Sequence, residues 1–264
     1  ARAGGLIAMD PQDIEQYVKP EVYDLYYSWF TDDIPFYVAR AQEARAAVLE
    51  AGCGTGRILL PILQSGVDID GFDIHPGMIE VLRKKAASLG LKPRVSVADM
   101  RDFTMPRRYG LITIPFRAFM HVHTTDDQIA ALRCLREHLE GGGALVFNVF
   151  YPSFETMVAS DGEQALEREF PHPETGLTVA MYTTRRTDRV NQILEVERDV
   201  VESDARGYAT ITHRDRFRLR WTWKAEMELL LRAAGFPRWE VRGGFDGRPL
   251  EKDTDEMVWT AWKD

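Results

Sequence analysis

The segment Glu50-Ala51-Gly52-Cys53-Gly54-Thr55-Gly56 places an acid two residues ahead of three alternating glycines. The apolar run from Ala46 leads into it and the pattern from Ile58 to Gln64 is helical. A strand therefore enters a glycine loop that opens a helix. Glycine suits a backbone that turns sharply and lies against a ligand without a Cβ in the way. A dinucleotide fold would use G-x-G-x-x-G, so that pyrophosphate rests on the helix N-terminus. Here the spacing is Gly52-x-Gly54-x-Gly56. An acidic strand end suits an ammonium, and exposed loop amides suit a carboxylate. The plain alternative is a glycine turn that holds no ligand.

Further acids follow at matching places. Asp73 ends a second strand, Asp68 to Asp73, where a carboxylate can accept both hydroxyls of a ribose. Asp99 follows a third strand, Val95 to Ala98, where it can accept from an adenine amino group. Ile74 and Met78 are spaced to sandwich a base, and Met100 and Ile114 stand beside the same strand ends. S-adenosylmethionine (SAM) has this set of handles: an ammonium, a carboxylate, a ribose diol and no phosphate. Taken singly, Asp73 and Asp99 also read as turn or cap residues. Together with Glu50 they form polar anchors at successive strand ends, where parallel sheets bind ligands.

His121 and His123 lie just past a fourth strand, Leu111 to Pro115. Histidine titrates near working pH and is the usual proton acceptor for an amine or hydroxyl nucleophile. His121 is the catalytic candidate, as a base or as a group that orients the acceptor; the alternative is a solvated or capping histidine. Arg117 can pair with an anionic substrate group or, equally, with a neighbouring acid. Arg57 carries the same ambiguity. Tyr17 and Tyr27 belong to an aromatic-rich start with Tyr23, Tyr26, Trp29, Phe30, Phe36 and Tyr37. Such rings can close over a sulfonium by cation–π attraction, with Tyr17 as a substrate contact. For most of them packing against the sheet is the simpler role.

These residues need a scaffold of alternating strands and helices. Pro76 fits a first helical turn, Met78 to Leu89 is amphipathic, and Gly90 stops it. Thr125 to Leu139 reads as a helix with acidic Asp126 and Asp127 in its first turn, ended by Gly141-Gly142-Gly143. Ala144 to Phe150 is a fifth strand. This order implies an α/β architecture with a parallel sheet and right-handed crossovers. From 151 to 221 the rhythm changes to three extended segments, Leu177 to Arg186, Gln192 to Glu202 and Tyr208 to Trp221, expected to be an antiparallel β insertion. Lys224 to Ala234 then reads as a helix, followed by strands at Trp239 to Val241 and Met257 to Trp262. The expected division is a helical lid over 1–45, a core over 46–150, the insertion over 151–221 as a cap or dimer interface, and completion of the sheet over 222–264.

On these residues the chain resembles the class I SAM-dependent methyltransferases, and more narrowly the small-molecule N-methyltransferases, including sugar N,N-dimethyltransferases. The likeness rests on Val22-Tyr23-Asp24-Leu25-Tyr26-Tyr27, the glycine loop, Asp99-Met100-Arg101-Asp102-Phe103 and Phe116-Arg117-Ala118-Phe119-Met120-His121-Val122. The layout from Glu195 to Ala233-Ala234-Gly235-Phe236 also fits. The resemblance implies a Rossmann-like fold, a seven-stranded mostly parallel sheet with helices on both faces and the last strand antiparallel. It implies that Tyr27 reaches the methionine carboxylate of SAM and that His121 faces the transferred methyl. Pro115 and Arg117 depart from the sugar enzymes, so their substrate does not carry over.

Composition narrows the reading further. The 264 residues are 45% hydrophobic and 28% charged, enough for a sizeable core, with a net charge of −8 that gives no general attraction to phosphate backbones. A small-molecule substrate is thus expected ahead of nucleic acid. An Asp/Asn-Pro-Pro-Tyr motif for methylating base amino groups is missing, with Ile114-Pro115-Phe116-Arg117 in its place. The arginines at 214, 216, 218 and 220 read as a solvated strand face, or as a grip for an anion, RNA or a partner subunit. Cys53 and Cys134 form no CxxC pair, so neither zinc nor a disulfide framework is indicated. No apolar run approaches the roughly 20 residues of a membrane span, and Ala1 to Gly5 lack the apolar stretch of a secretion signal, so a cytoplasmic setting is expected. Two other functions stay open at this point: an RNA or protein methyltransferase, and a SAM-binding protein without catalysis.

Overall fold

A computed structural model describes residues 20–158 and 161–264. Tyr17 and the first part of the expected lid lie outside the described residues. Helices α1 (Pro20–Tyr27) and α2 (Asp33–Ala44) come first. They are followed by β1 (Val48–Ala51), α3 (Leu59–Gln64), β2 (Ile69–Asp73), α4 (Pro76–Ser88), β3 (Arg94–Val97) and β4 (Tyr109–Ile114). A 3₁₀ turn, Ala118–His121, precedes α5 (Thr125–His138), β5 (Leu139–Phe150) and α6 (Phe154–Val158). Strands β6 (Gln164–Pro171), β7 (Thr178–Asp188), β8 (Ile193–Ser203) and β9 (Ala209–Arg220) form the insertion. Helix α7 (Lys224–Ala233) and strands β10 (Arg238–Arg242) and β11 (Glu256–Trp262) complete the chain.

The main sheet has seven strands in the order β10-β11-β5-β4-β1-β2-β3. Its β1, β2, β3, β4 and β5 pair in parallel, and β11 runs antiparallel to both β5 and β10. The strand order reverses direction between β1 and β4, which puts a crevice at their carboxyl ends. Buried Val48, Ala144 and Val146 join Tyr37 and Ala41 of α2 and the apolar faces of α3 and α4 in one core layer. On another part of the sheet Phe147 stacks on Trp259 and meets Phe119 of the 3₁₀ turn, with centroids 6.3 and 5.5 Å apart. The Phe119 contact anchors the turn that carries His121 to the sheet.

Two local expectations need correction. The glycines 141–143 do not end α5; the helix stops at His138 and β5 runs through them. A Cβ on Gly143 would stand 3.1 Å from the carbonyl oxygens of Glu140 and Tyr109, so close strand approach at a register shift would crowd a side chain. The insertion also has four strands rather than three, in the order β6-β7-β8-β9. Strand β6 escaped the sequence because its residues are nearly all exposed and give no alternation of apolar and polar positions.

The described residues fall into two compact units, one made of 161–186 and 195–217 and the other of 20–158, 187–194 and 218–264. In the smaller unit the arginine strand is neutralised by its neighbour. Arg214 pairs with Asp199 at 2.6 Å and Arg216 with Glu197 at 2.8 Å. These exposed cross-strand pairs favour the solvated-face reading of Arg214 and Arg216. Arg220 belongs to the larger unit, where it is buried and bonds Thr125 and Glu226. No helix of the described residues is long and apolar enough to cross a membrane.

Candidate functional site

Strand β1 delivers Glu50 to the crevice at 2% exposure. Its Oε2 is buried and has no hydrogen-bond partner among the described residues. Burial pushes its carboxyl well above the usual range; Arg57 opposes the shift, while Asp33 and Asp73 add to it. Arg57 is bonded to Asp33, so the free Glu50 oxygen has no cation bound to it. Thr113, opposite Glu50 in the β1–β4 register, likewise has a buried hydroxyl without a partner.

The glycine loop wraps this acid. Cys53 turns into the core, while Gly54 lies at φ +52° and an added Cβ would meet nothing within 4 Å. The loop thus presents bare backbone to open space at Gly54. Gly56 differs: a Cβ there would reach Leu82 at 2.9 Å and Leu60 at 3.0 Å, so its missing side chain serves helix packing. A Cβ on Gly52 would stand 2.9 Å from Ala118 and 4.0 Å from the Met100 methyl. Met100 and the segment after β4 therefore border the loop.

Asp73 has a structural task beyond the one expected of it. Its Oδ2 accepts from the Gly54 amide and its Oδ1 from the His75 amide, both at 2.8 Å. Burial still raises its pKa against those amides. Each carboxylate oxygen keeps a second lone pair, so two hydroxyls can still be accepted. His75 caps α4 by accepting from Gly77 and Met78 through Nδ1, which fixes buried Met78 beside half-buried Ile74. Asp99 is gripped by Arg101, whose Nη2 lies 2.5 Å from Oδ2 and whose backbone amide donates to Oδ1 at 2.9 Å. Ile114 ends β4 fully buried.

Three features of the site were not foreseen. Asp24 of α1 accepts from Thr55 of the glycine loop and from Lys85 of α4, both at 2.6 Å. This ties the helix bearing Tyr27 onto the loop. Asp33, fully buried in α2, holds Arg57 through two 2.6 Å contacts. The Arg57 guanidinium then lies 4.6 Å from the Phe116 ring centre. Phe116 meets Tyr27 edge-on at 5.0 Å and Phe30 at 5.2 Å, closing an aromatic patch over the loop. Asp24 and Phe116 lie within the resembling segments and an acid pair is one reading of Arg57, but Asp33 as that acid was unmarked, because pairing partners from distant helices leave no local pattern.

The third is the turn after β4. Phe116 and Arg117 both adopt left-handed backbone, φ +52° and +65°. Each such non-glycine residue costs roughly 1–2 kcal/mol, and strain of this kind concentrates at functional sites. Arg117 is bound by Glu256 of β11, Nε to Oε1 at 3.0 Å and Nη2 to Oε2 at 2.6 Å. Its alternative reading, an ion pair with a neighbouring acid, is the one seen. His121 closes the 3₁₀ turn half-buried; burial and the nearby His123 push its pKa down to about 4. Neutral imidazole can accept a hydrogen bond or proton there. His123 itself contacts the carbonyl of Arg218 at 2.9 Å.

Residues 48–143 match a family model described as a methyltransferase domain. The chain is similar to a cypemycin N-terminal methyltransferase from Streptomyces sp, 26% identical over 80% of both chains. It is also similar to a dTDP-3-amino-3,4,6-trideoxy-alpha-D-glucopyranose N,N-dimethyltransferase from Streptomyces venezuelae, 29% identical over 48% of this chain and 54% of that one. It thus spans about half the length of that sugar enzyme. Among solved structures, the CcbJ methyltransferase from Streptomyces caelestis shares the fold with a TM-score of 0.74, at 23% identity and over 95% and 97% of the two chains.

Proposed function

Because this chain is a class I SAM-dependent methyltransferase, we propose that it moves the SAM methyl group onto an amine nitrogen of a small molecule. The observation that carries the site assignment is the orphaned, buried Glu50 oxygen beside the open backbone at Gly54. A cationic amino acid moiety fits there: its ammonium supplies the partner that Glu50 lacks, and the loop amides and Tyr27 take its carboxylate. Asp73 would hold the ribose and Asp99 the adenine amino group, with Ile74, Met78 and Met100 against the base and Ile114 beneath it.

SAM supplies a methyl group on a sulfonium, so the leaving group is already activated. The protein's share is alignment and exclusion of water, which is proximity catalysis. The Tyr27, Phe30 and Phe116 rings cover the loop side and present faces suited to a cation. With its pKa near 4, His121 stays neutral across the physiological range. It would orient the nitrogen by accepting its N–H and pass the released proton to solvent. Arg117 is engaged by Glu256, so a substrate role for it requires the acceptor to displace that acid.

The amine is favoured over a hydroxyl on two grounds. A neutral amine needs no strong base, which matches a weakly basic histidine. The two relatives described above are named as N-methyltransferases. Methyl-labelled SAM, incubated with the chain and a panel of nucleotide-linked amino sugars, short peptides and RNA, tests the proposal. Label in a small amine supports it. Label only in RNA or protein, or only in hydroxyl compounds, overturns it. His121→Ala is expected to lower turnover about 100-fold while S-adenosylhomocysteine affinity stays within about twofold. A matching loss of affinity would move His121 into the cofactor shell.

A further inference from the structure

We infer that Glu256 is a positioning residue for the site, acting through Arg117 to hold the left-handed Phe116–Arg117 turn in place. The inference deepens the methyltransferase reading and rests on it for its meaning. Its geometry stands independently.

Glu256 begins β11, far from the glycine loop in sequence, and neither motif nor spacing marks it. Its carboxylate receives both the Nε and the Nη2 of Arg117. It also accepts from Asn148 Nδ2 at 2.6 Å, and Asn148 Oδ1 accepts from buried Tyr37 at 2.8 Å. The acid is therefore fixed from β5 and, through Asn148, from α2, before it grips the arginine. The Arg117 guanidinium also lies 5.3 Å from the Phe150 ring centre.

The gripped residue controls two neighbours. On one side, Phe116 places its ring against Tyr27, Phe30 and Arg57. On the other, the Arg117 carbonyl accepts from Met120 at 2.9 Å and opens the 3₁₀ turn that ends at His121. Ala118, next in the chain, sits against Gly52 closely enough to exclude a Cβ there. A left-handed turn of two non-glycine residues is a poor resting state for free backbone. A bidentate, prearranged acid is a sufficient external hold. One shift of this turn would loosen the aromatic patch, the border of the loop and the histidine together.

The test uses the full chain and needs no acceptor. Glu256→Gln keeps the shape and the oxygen facing Asn148 but removes the charge that holds Arg117. Two quantities are read: the His121 titration by NMR and S-adenosylhomocysteine affinity by calorimetry. Glu256→Gln is expected to raise the His121 pKa by at least one unit, as the turn opens to water, and to weaken binding about tenfold. Arg117→Gly removes the guanidinium that Glu256 grips and relieves the strain at φ +65°. Adding Glu256→Gln to Arg117→Gly should therefore change both readouts less than twofold.

The proposal is overturned if Glu256→Gln alone leaves both readouts at wild-type values. It is also overturned if the substitution does equal damage on the Arg117→Gly background, since Glu256 would then act through another partner. Should the wild-type chain bind no S-adenosylhomocysteine, the methyltransferase reading fails, while the His121 titration still decides the hold on the turn.

Discussion

The two ends of the same parallel strands treat buried acids in opposite ways. At the amino end, Asp70 is 2% exposed and fully partnered: Arg94 Nε at 2.5 Å, Arg107 Nε at 2.8 Å and the Tyr109 hydroxyl at 2.7 Å. Asp68 beside it also bonds both arginines. Two acids thus meet two cations, and the ends of β2, β3 and β4 are tied together. At the carboxyl end, Glu50 feels Asp33 and Asp73 as well as Arg57, whose contacts go to Asp33. Glu50 is left with a bare oxygen. A buried charge without a partner is costly, so an acid kept in that condition points to a ligand that completes it. At the amino end both acids are closed by cations, whereas at the carboxyl end Asp99 and Asp73 have partners and Glu50 keeps one oxygen open.

The sharpest way to break this contrast is at the open end. Gly54→Val puts a branched side chain into the space over the loop and strains a left-handed position; SAM binding should be lost, by at least about 1,000-fold in calorimetry. Binding within tenfold of wild type would place the ligand elsewhere. Next comes Asp70→Asn, which should destabilise the fold by about 2–3 kcal/mol in chemical denaturation. That is below a fully buried pair because the arginine ends reach water, and S-adenosylhomocysteine affinity should be unchanged. Glu50→Gln should do the reverse. Affinity falls at least tenfold, while the ligand-free melting temperature stays level or rises, since a strained buried carboxyl is removed. A drop in melting temperature like that of Asp70→Asn would erase the distinction between the two ends.

The smallest effect is a difference in pH dependence. Asp68 is held well below the usual carboxylate range by Arg107 and Arg94. Its stabilisation is present above the unfolded pKa near 4 and is lost as pH falls toward the depressed value. Glu50 is shifted upward, so the ligand-free fold gains stability as pH falls through its raised pKa and loses it as pH rises. A bound ammonium favours the ionised form. The thermal shift caused by SAM should therefore grow as pH rises above the ordinary carboxylate range, as long as the ligand's ammonium stays protonated, and a shift that shrinks there would contradict the pairing.

The strand-to-loop-to-helix passage at 48–64, and the acids at 50, 73 and 99, were legible because periodicity and glycine spacing are local signals. Strand β6 was not, since an exposed edge strand carries no burial pattern. Neither was the course of glycines 141–143, where the same residue type serves a helix stop or a close strand contact and only the neighbouring strand decides.

From the amino-acid order alone came the α/β alternation, the antiparallel insertion, the acids at successive strand ends and the cofactor they suit. Those properties follow from residue type and short-range spacing, which the chain carries with it even unfolded. Which carboxylates are answered and which are left waiting was decided by packing. Asp24 finds Thr55 and Lys85, Asp33 finds Arg57, and Glu256 reaches Arg117 across 139 positions of chain. Charge pairs of that kind depend on where strands and helices end up in space, and no local pattern encodes that position.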